Sequence, residues 1–286
     1  MKYFVLVTGA SSGIGEAACK TLAENNYDVL AGVRNTADGA RLESNYGSRI
    51  HSLMMDVVDE ESIKHAKEKA KEIIGIDALV AIVNNAGIVV AGAFLYVPIE
   101  KWKYQLDVNV LGVIRTTQIF FDLLKVKLDE PYRHPRRIIN ISSVSGLFAS
   151  PFIGAYAASK FALEALSDSL RRELYMYDIQ VVLIEPGNII TPIWEKAKKS
   201  DYYSGPEYDS ITAYKEKLID ENIRQGLKAD IVADRILKSI RNEKVSARYL
   251  IRAKAWKFRL IQLLPVRWVD LIIRNKLKSN SGIRPF

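Results

Sequence analysis

Tyr156 and Lys160 stand four residues apart in the run Tyr156-Ala157-Ala158-Ser159-Lys160. On a helix that spacing puts a phenol and an ammonium on one face, one turn apart. A tyrosine hydroxyl has an unperturbed pKa of about 10 and is a poor base near neutrality. A neighbouring positive charge stabilises the phenolate and lowers that value. The pair then becomes an acid/base able to exchange a proton with a carbonyl or alcohol oxygen. Taken alone, the same spacing is also an ordinary surface pair, so its weight depends on the rest of the chain.

A second chemical element sits at the start. Tyr3 to Val7 is a short apolar run that reads as a buried strand, and it leads into Thr8-Gly9-Ala10-Ser11-Ser12-Gly13-Ile14-Gly15. Glu16 to Glu24 follows with a helical pattern. Strand, glycine loop and helix start make a phosphate site, because N–H groups at the helix N-terminus face the anion and glycine lets the backbone approach. Asp28 to Val33 reads as a second strand. Many dinucleotide sites place an acid at its end to bind the ribose hydroxyls. Val33 stands here instead, followed by Arg34, a candidate clamp on a 2′-phosphate with Ser11 adding a hydrogen bond. That implies NADP(H), with NAD(H) the alternative; otherwise Arg34 is a solvated loop charge.

The intervening elements must carry these groups to one place. Ile50 to Asp56, Ala78 to Val83, Ile138 to Ile141 and Gln180 to Ile184 read as further buried strands, with Ala247 to Ile251 as a last edge strand. Helical patterns run from an Asp59 cap to Ile74, from Glu100 to Lys127, from Ala155 to Tyr177 and from Asp230 to Ile240. Leu163, Leu166, Leu170 and Leu174 are the expected buried stripe of the helix carrying Tyr156. Alternating strand and helix predicts an α/β fold: a single doubly wound, Rossmann-type parallel sheet with helices on both faces. The run Asn84-Asn85-Ala86-Gly87 closes the fourth strand, where ligands bind in such sheets. Asn84, Ala86 and Gly87 are thus either purely structural or set beside a cofactor. Asn109 lies inside the Glu100–Lys127 pattern, where asparagine is a mediocre helix residue.

Order and spacing of these motifs, with Ser142-Ser143 before a small-residue turn, resemble the short-chain dehydrogenase/reductase family over roughly residues 3 to 250. The continuation of the Tyr156 helix through Ser167-Asp-Ser-Leu-Arg-Arg-Glu-Leu174 is similar to the branch containing hydroxysteroid and retinol dehydrogenases. The resemblance implies hydride transfer between a nicotinamide cofactor and a carbonyl or secondary alcohol, on a hydrophobic substrate. It implies a catalytic set of Asn109, Ser143, Tyr156 and Lys160: Ser143 bonds the substrate oxygen, Asn109 orders a relay water, and Lys160 also binds the nicotinamide ribose. It puts Gly9, Ser11, Ser12, Gly13, Ile14 and Gly15 at the phosphates, Asp56 and Val57 beside the adenine, Asn84, Ala86 and Gly87 beside the cofactor, and Pro186, Gly187, Ile189 and Thr191 at the nicotinamide. Residues 193–226, with Trp194, Tyr202, Tyr203, Tyr208 and Tyr214, become a substrate-covering segment. Family members commonly pair through the Asn109 and Tyr156 helices, implying a homodimer or homotetramer. Other readings are a catalytically idle NADP-binding regulator, a related epimerase/dehydratase, or a lipid-surface binding protein.

Composition bounds the rest. A chain of 286 residues, 49% hydrophobic and 26% charged, suits a globular protein, here read as one domain over 1–286. Cys19 is the only cysteine, so no intramolecular disulfide forms, which fits a reducing, cytoplasmic setting. It reads as a small buried side chain. His51, His65 and His134 lack metal-ligand spacing, and no metal is expected. Met1 runs almost at once into a strand, so no signal peptide is expected, and no apolar run is long enough to span a bilayer. The net charge of +8 is concentrated at the end: Arg241 to Phe286 holds twelve Lys and Arg against Glu243 and Asp270. No nucleic-acid motif accompanies it. Residues 254–286 form a basic amphipathic helical extension, broken at Pro265. It suits packing on the domain or a partner subunit, or contact with a membrane surface.

Overall fold

The computed structural model describes residues 1–126, 135–193, 204–205, 208 and 226–281; the expectations for Trp194, Tyr202, Tyr203 and Tyr214 lie outside them. Seven strands form one sheet: β1 (Tyr3–Thr8), β2 (Asp28–Val33), β3 (Ile50–Met54), β4 (Ala78–Asn84), β5 (Arg136–Ile141), β6 (Ile179–Pro186) and β7 (Arg248–Ile251). Their order is β3-β2-β1-β4-β5-β6-β7, and every neighbouring pair is parallel. β2 and β4 are buried at every position. That is why they read as continuous apolar runs rather than alternating ones.

Helices cover both faces. One apolar layer joins the sheet to α1 (Gly13–Glu24), α2 (Thr36–Tyr46) and α7 (Ala229–Arg241) through Cys19, Leu22, Leu42, Val232, Ile236 and Ile240. The other joins it to α3 (Glu60–Ile74) and α5 (Gly112–Leu124) through Ile63, Ala70, Phe120 and Leu124. Truncating a fully buried leucine such as Leu22 to alanine costs about 2–5 kcal/mol in such a layer. Burial pushes the Cys19 thiol up and leaves it protonated.

The predicted single helix Glu100–Lys127 is divided. α4 (Ile99–Leu106) passes through one π-helical turn, Asp107–Leu111, before α5 begins at Gly112. A Cβ at Gly112 would lie 2.9 Å from Val57 Cγ2, so only glycine lets the chain sit this close to the loop after β3. α6 (Gly154–Glu173) ends in a 3₁₀ turn, Leu174–Tyr177. Its stripe differs from expectation: Leu163 and Leu174 are buried and Leu166 and Leu170 half-buried. The buried line is largely polar: Tyr156, Ser159, Lys160, Glu164 and Ser167. α2 was not foreseen. Asp38, Gly39 and Asn45 are weak helix formers; the Asn35 side chain accepts the Asp38 N–H at 2.8 Å and fixes the start. α8 (Ala255–Gln262) and α9 (Val266–Ser281) complete the extension on either side of Pro265.

Candidate active site

The sheet order reverses between β1 and β4, and a cleft opens at their carboxyl ends, as it does in doubly wound sheets generally. It has about 1300 Å³ of open volume. The glycine loop forms one wall. Gly9 has φ +63° and Gly13 φ +60°, left-handed values that suit glycine. A Cβ on Gly9 would meet Ala86 Cα at 2.8 Å, and one on Gly13 would meet Thr191 Cβ at 3.1 Å. The two loops after β4 and β6 therefore close directly on the first.

Thr8 and Asn85 hold that junction. Thr8 Oγ1 accepts the N–H groups of Asn85 and Ala86, each at 3.0 Å. Asn85 Nδ2 donates to the carbonyls of Thr8 and Gly9, also at 3.0 Å. Asn84 does something else. It ends β4 in register with Asn140 and donates to Asn140 Oδ1 at 2.8 Å; Asn140 in turn donates to Ser167 Oγ at 2.8 Å. This ladder ties the sheet to α6 and does not line the cleft. Gly15 does not line it either: a Cβ there would lie 2.3 Å from the Gly9 carbonyl, so it lets helix and loop approach.

At the other end of the cleft α6 begins. The Tyr156 phenol lies beside Ser143, close enough for Ser143 to favour its ionised form. Ser143 Oγ accepts the Ser145 N–H at 3.0 Å, which pins it at the end of β5. Lys160 Nζ donates to the Ile141 carbonyl at 2.7 Å and stands 5.8 Å from the Tyr156 ring centroid. Burial lowers the Lys160 pKa to about 8, against the pull of Glu164. Burial raises the Tyr156 phenol, and the neighbouring Ser143 only partly offsets it. Desolvation sets the direction of that shift, and the phenol holds its proton through the neutral range.

Asn109 lies on the π turn, buried, outside the cleft lining. Its Oδ1 accepts the Ile88 N–H at 2.9 Å; its Nδ2 donates to the Ile88 carbonyl at 3.1 Å and to Ser159 Oγ at 3.0 Å. Both amide hydrogens are used within the protein, so the side chain positions the loop after β4 against α6. π turns recur at functional sites because they redirect one side chain from the regular helical face.

Of the residues singled out from sequence, Gly9, Ser11, Ser12, Gly13, Ile14, Arg34, Asp56, Val57, Ala86, Gly87, Ser143, Tyr156, Lys160, Pro186, Gly187, Ile189 and Thr191 line this one cleft. Asn84, Gly15 and Asn109 support it from behind. Thr8 and Asn85 were missed, although both stand within the quoted motifs. Apolar lining from Met55, Ile88, Tyr104 and Val108 carried no sequence signal, whereas Ile193 opens the segment expected to cover the substrate. Behind Lys160, Arg248 on β7 reaches Glu164 at 3.1 Å, Asp168 at 2.8 Å and Glu185 at 3.5 Å. Among the described residues no His/Cys/Asp/Glu cluster suits a metal ion.

A parallel seven-stranded sheet with a glycine-loop cleft and a buried Ser-Tyr-Lys set defines a dinucleotide-dependent dehydrogenase class. The sequence matches the short chain dehydrogenase family over residues 3–201, and the chain belongs to that family. It is 37% identical over 281 residues to an NADPH-dependent 3-dehydrocapnine reductase of Ornithobacterium rhinotracheale, covering 98% of each chain. It is 36% identical over 197 residues to the 17-beta-hydroxysteroid dehydrogenase type 6 of Bos taurus, covering 68% of this chain and 59% of that one. Among solved structures, a short-chain dehydrogenase from Streptomyces avermitilis superposes with a TM-score of 0.75 at 26% identity, over 98% of this chain and 96% of that one. As a family member the chain is an oxidoreductase of alcohol and carbonyl groups that uses a nicotinamide nucleotide.

Proposed function

We propose that this protein is an NADP(H)-preferring reductase of a hydrophobic ketone, also able to run as a secondary-alcohol dehydrogenase. The observation that carries the reading is the cleft itself. It holds the Ser143–Tyr156 pair and the buried Lys160 at one end and the glycine loop with Arg34 at the other. Gly9 and Gly13 lie where a Cβ would crowd the adjoining loops, and exposed N–H groups at the α1 N-terminus suit a pyrophosphate. The residues present fit a dinucleotide.

A nicotinamide nucleotide supplies the hydride in the reducing direction. Tyr156, protonated near neutrality, gives its proton to the substrate oxygen. Ser143, beside Tyr156 in the cleft, steadies the charge that develops on that oxygen. Lys160, charged below about pH 8, stabilises the phenolate left behind. Arg34 stands exposed at the mouth after buried Val33, so β2 ends on an apolar side chain in place of a carboxylate. The NADPH dependence in the name of the 37%-identical relative supports the same preference. The apolar lining supports a lipophilic substrate, as does Tyr208, whose ring packs 6.1 Å from Tyr96 and 5.6 Å from Phe152.

A panel of ketones of increasing chain length, assayed by NADPH and NADH absorbance, tests the proposal. The expected result is turnover that favours NADPH and improves with apolar length. Cofactor binding without turnover on any ketone or alcohol would favour an idle regulator.

A further inference from the structure

α8 and α9 touch the rest of the molecule sparingly. Phe258 is the only fully buried side chain among the described residues after 253. Its ring lies 6.3 Å from Phe148, with the Arg252 guanidinium 4.6 Å above it. On the opposite face of α8, Trp256 is 61% exposed, and Leu260 and Leu263 follow it at i+4 and i+7, exposed by 54% and 80%. α9 repeats the pattern. Val269, Ile273 and Leu277 lie half-buried on one side, while Trp268, Leu271 and Ile272 form an exposed stripe on the other. Lys257 and Arg259 flank the first stripe; Arg267 and Arg274 edge the second.

We propose that this face of α8 and α9 is a docking surface for an anionic lipid bilayer. Two tryptophans and six aliphatic side chains, counting Ile261 and Val266, stand in water at one end of the molecule. Patches of that kind mark interaction sites. Charge selects the partner. Lys254, Lys257, Arg259, Arg267 and Arg274 surround the stripes, against Asp270 alone among the described side chains after 253. A second copy of the chain would bring like charges together over the same surface. A layer of anionic headgroups takes the cations at its rim and the tryptophans and leucines at the acyl boundary, with the helices in the membrane plane. Among the described residues no helix is long and apolar enough to cross the membrane, which suits a surface contact. Phe148, which Phe258 touches, lies five residues beyond Ser143. Insofar as it rests on the proposed reaction, the surface would bring the cleft to the phase where a lipophilic ketone resides.

The test uses the full chain with two kinds of sonicated vesicle, phosphatidylcholine mixed with phosphatidylglycerol and phosphatidylcholine alone. The protein should pellet with the mixed vesicles at low salt with a blue shift in tryptophan emission, and salt should release it. Each basic residue near the surface contributes about fivefold in affinity. The pair Arg267→Glu and Arg274→Glu should therefore weaken binding by roughly 25-fold or more. Trp256→Ser with Trp268→Ser should abolish the blue shift. These positions are exposed, so melting temperature should not move. Failure to pellet with mixed vesicles at low salt would overturn the proposal, as would equal pelleting with both vesicle types. A dimer in gel filtration that the tryptophan variants dissociate would overturn it in favour of a second copy. Turnover of a short, water-soluble ketone, read on the same preparations, reports on the reaction alone and should be the same in both variants.

Discussion

Proton transfer in this site depends on one phenol whose environment favours the neutral form. Tyr156→Phe keeps the ring and removes the proton. Turnover should fall by roughly 10²–10⁴ while NADPH binding persists, a split read by steady-state rates beside fluorescence titration. Near wild-type kcat would exclude Tyr156 as the acid. The second titration belongs to Lys160. Its pKa of about 8 lies below the ordinary 10.5, so the ammonium discharges as pH rises through about 8 while the phenol, pushed the other way, is still protonated. For ketone reduction, kcat/KM should fall above about pH 8. Lys160→Arg carries a guanidinium that stays charged; its residual activity should lose that limb. A limb unchanged in the arginine variant would assign the titration elsewhere. At the far end of the cleft, a charge-assisted hydrogen bond from Arg34 is worth roughly 1.5–3 kcal/mol. NADPH should therefore be preferred over NADH by about ten- to a hundredfold, and Arg34→Ala should remove most of that by weakening NADPH alone. An equal ratio in the wild type would leave Arg34 a solvated loop charge.

The elements that hold these groups are joined by buried polar contacts rather than by apolar stripes alone. Asn109 on the π turn, Asn84 at the end of β4 and Ser167 on α6 each spend their hydrogen bonds on a neighbouring element. Arg248 performs the same service between β7, α6 and β6, where Glu164, Asp168 and Glu185 converge. The junction is not fully satisfied: Glu164 Oε1, Glu185 Oε1 and Ser142 Oγ are buried without a hydrogen-bond partner. Burial first, and the Glu164 charge second, raise the Glu185 carboxyl to about 7 from an ordinary 4.5, against Arg248 and Arg259. The native state thus holds this proton to higher pH than the unfolded chain. The stability that it lends is whole below about pH 4.5 and is lost as pH rises through about 7. Glu185→Gln cannot ionise. It should match the wild type near pH 4.5 and exceed it by roughly 1–3 kcal/mol near pH 8, less whatever the Arg248 contact contributes. Urea unfolding at the two pH values reads this difference. A variant less stable than wild type at the higher pH would show Glu185 to be ionised and held by Arg248.

Across the whole molecule, the sheet was legible because both of its faces are buried, which leaves each central strand as an apolar run bounded by a turn. The cleft was legible because its backbone approaches require glycine at Gly9 and Gly13. What escaped depends on groups far apart in sequence. α2 is held by its Asn35 cap and by the close approach of Gly39 to Ser52, not by strong propensity. The choice between Asn84 and Asn85 turns on which way the last residue of β4 faces, and the break in the Glu100–Lys127 pattern comes from Gly112 meeting Val57 across the fold. Nor does an apolar, basic helix reveal from its own residues whether it is covered. α8 and α9 are amphipathic, yet Phe258 alone of their described side chains is deeply buried. Two levels of stability follow. Elements with few buried contacts open locally well below the global unfolding free energy. Amide hydrogens of α8 and α9 should exchange much faster than those of β1, β4 and β5. Removing a buried phenylalanine typically costs about 3–5 kcal/mol; at this docking point the loss is confined to the extension. Phe258→Ala should therefore raise exchange across 255–281 while leaving the sheet's protection and the main melting transition nearly unchanged. Hydrogen exchange followed by mass spectrometry separates the two regions. A parallel loss of protection in the sheet would show that the extension is part of the same cooperative unit as the core.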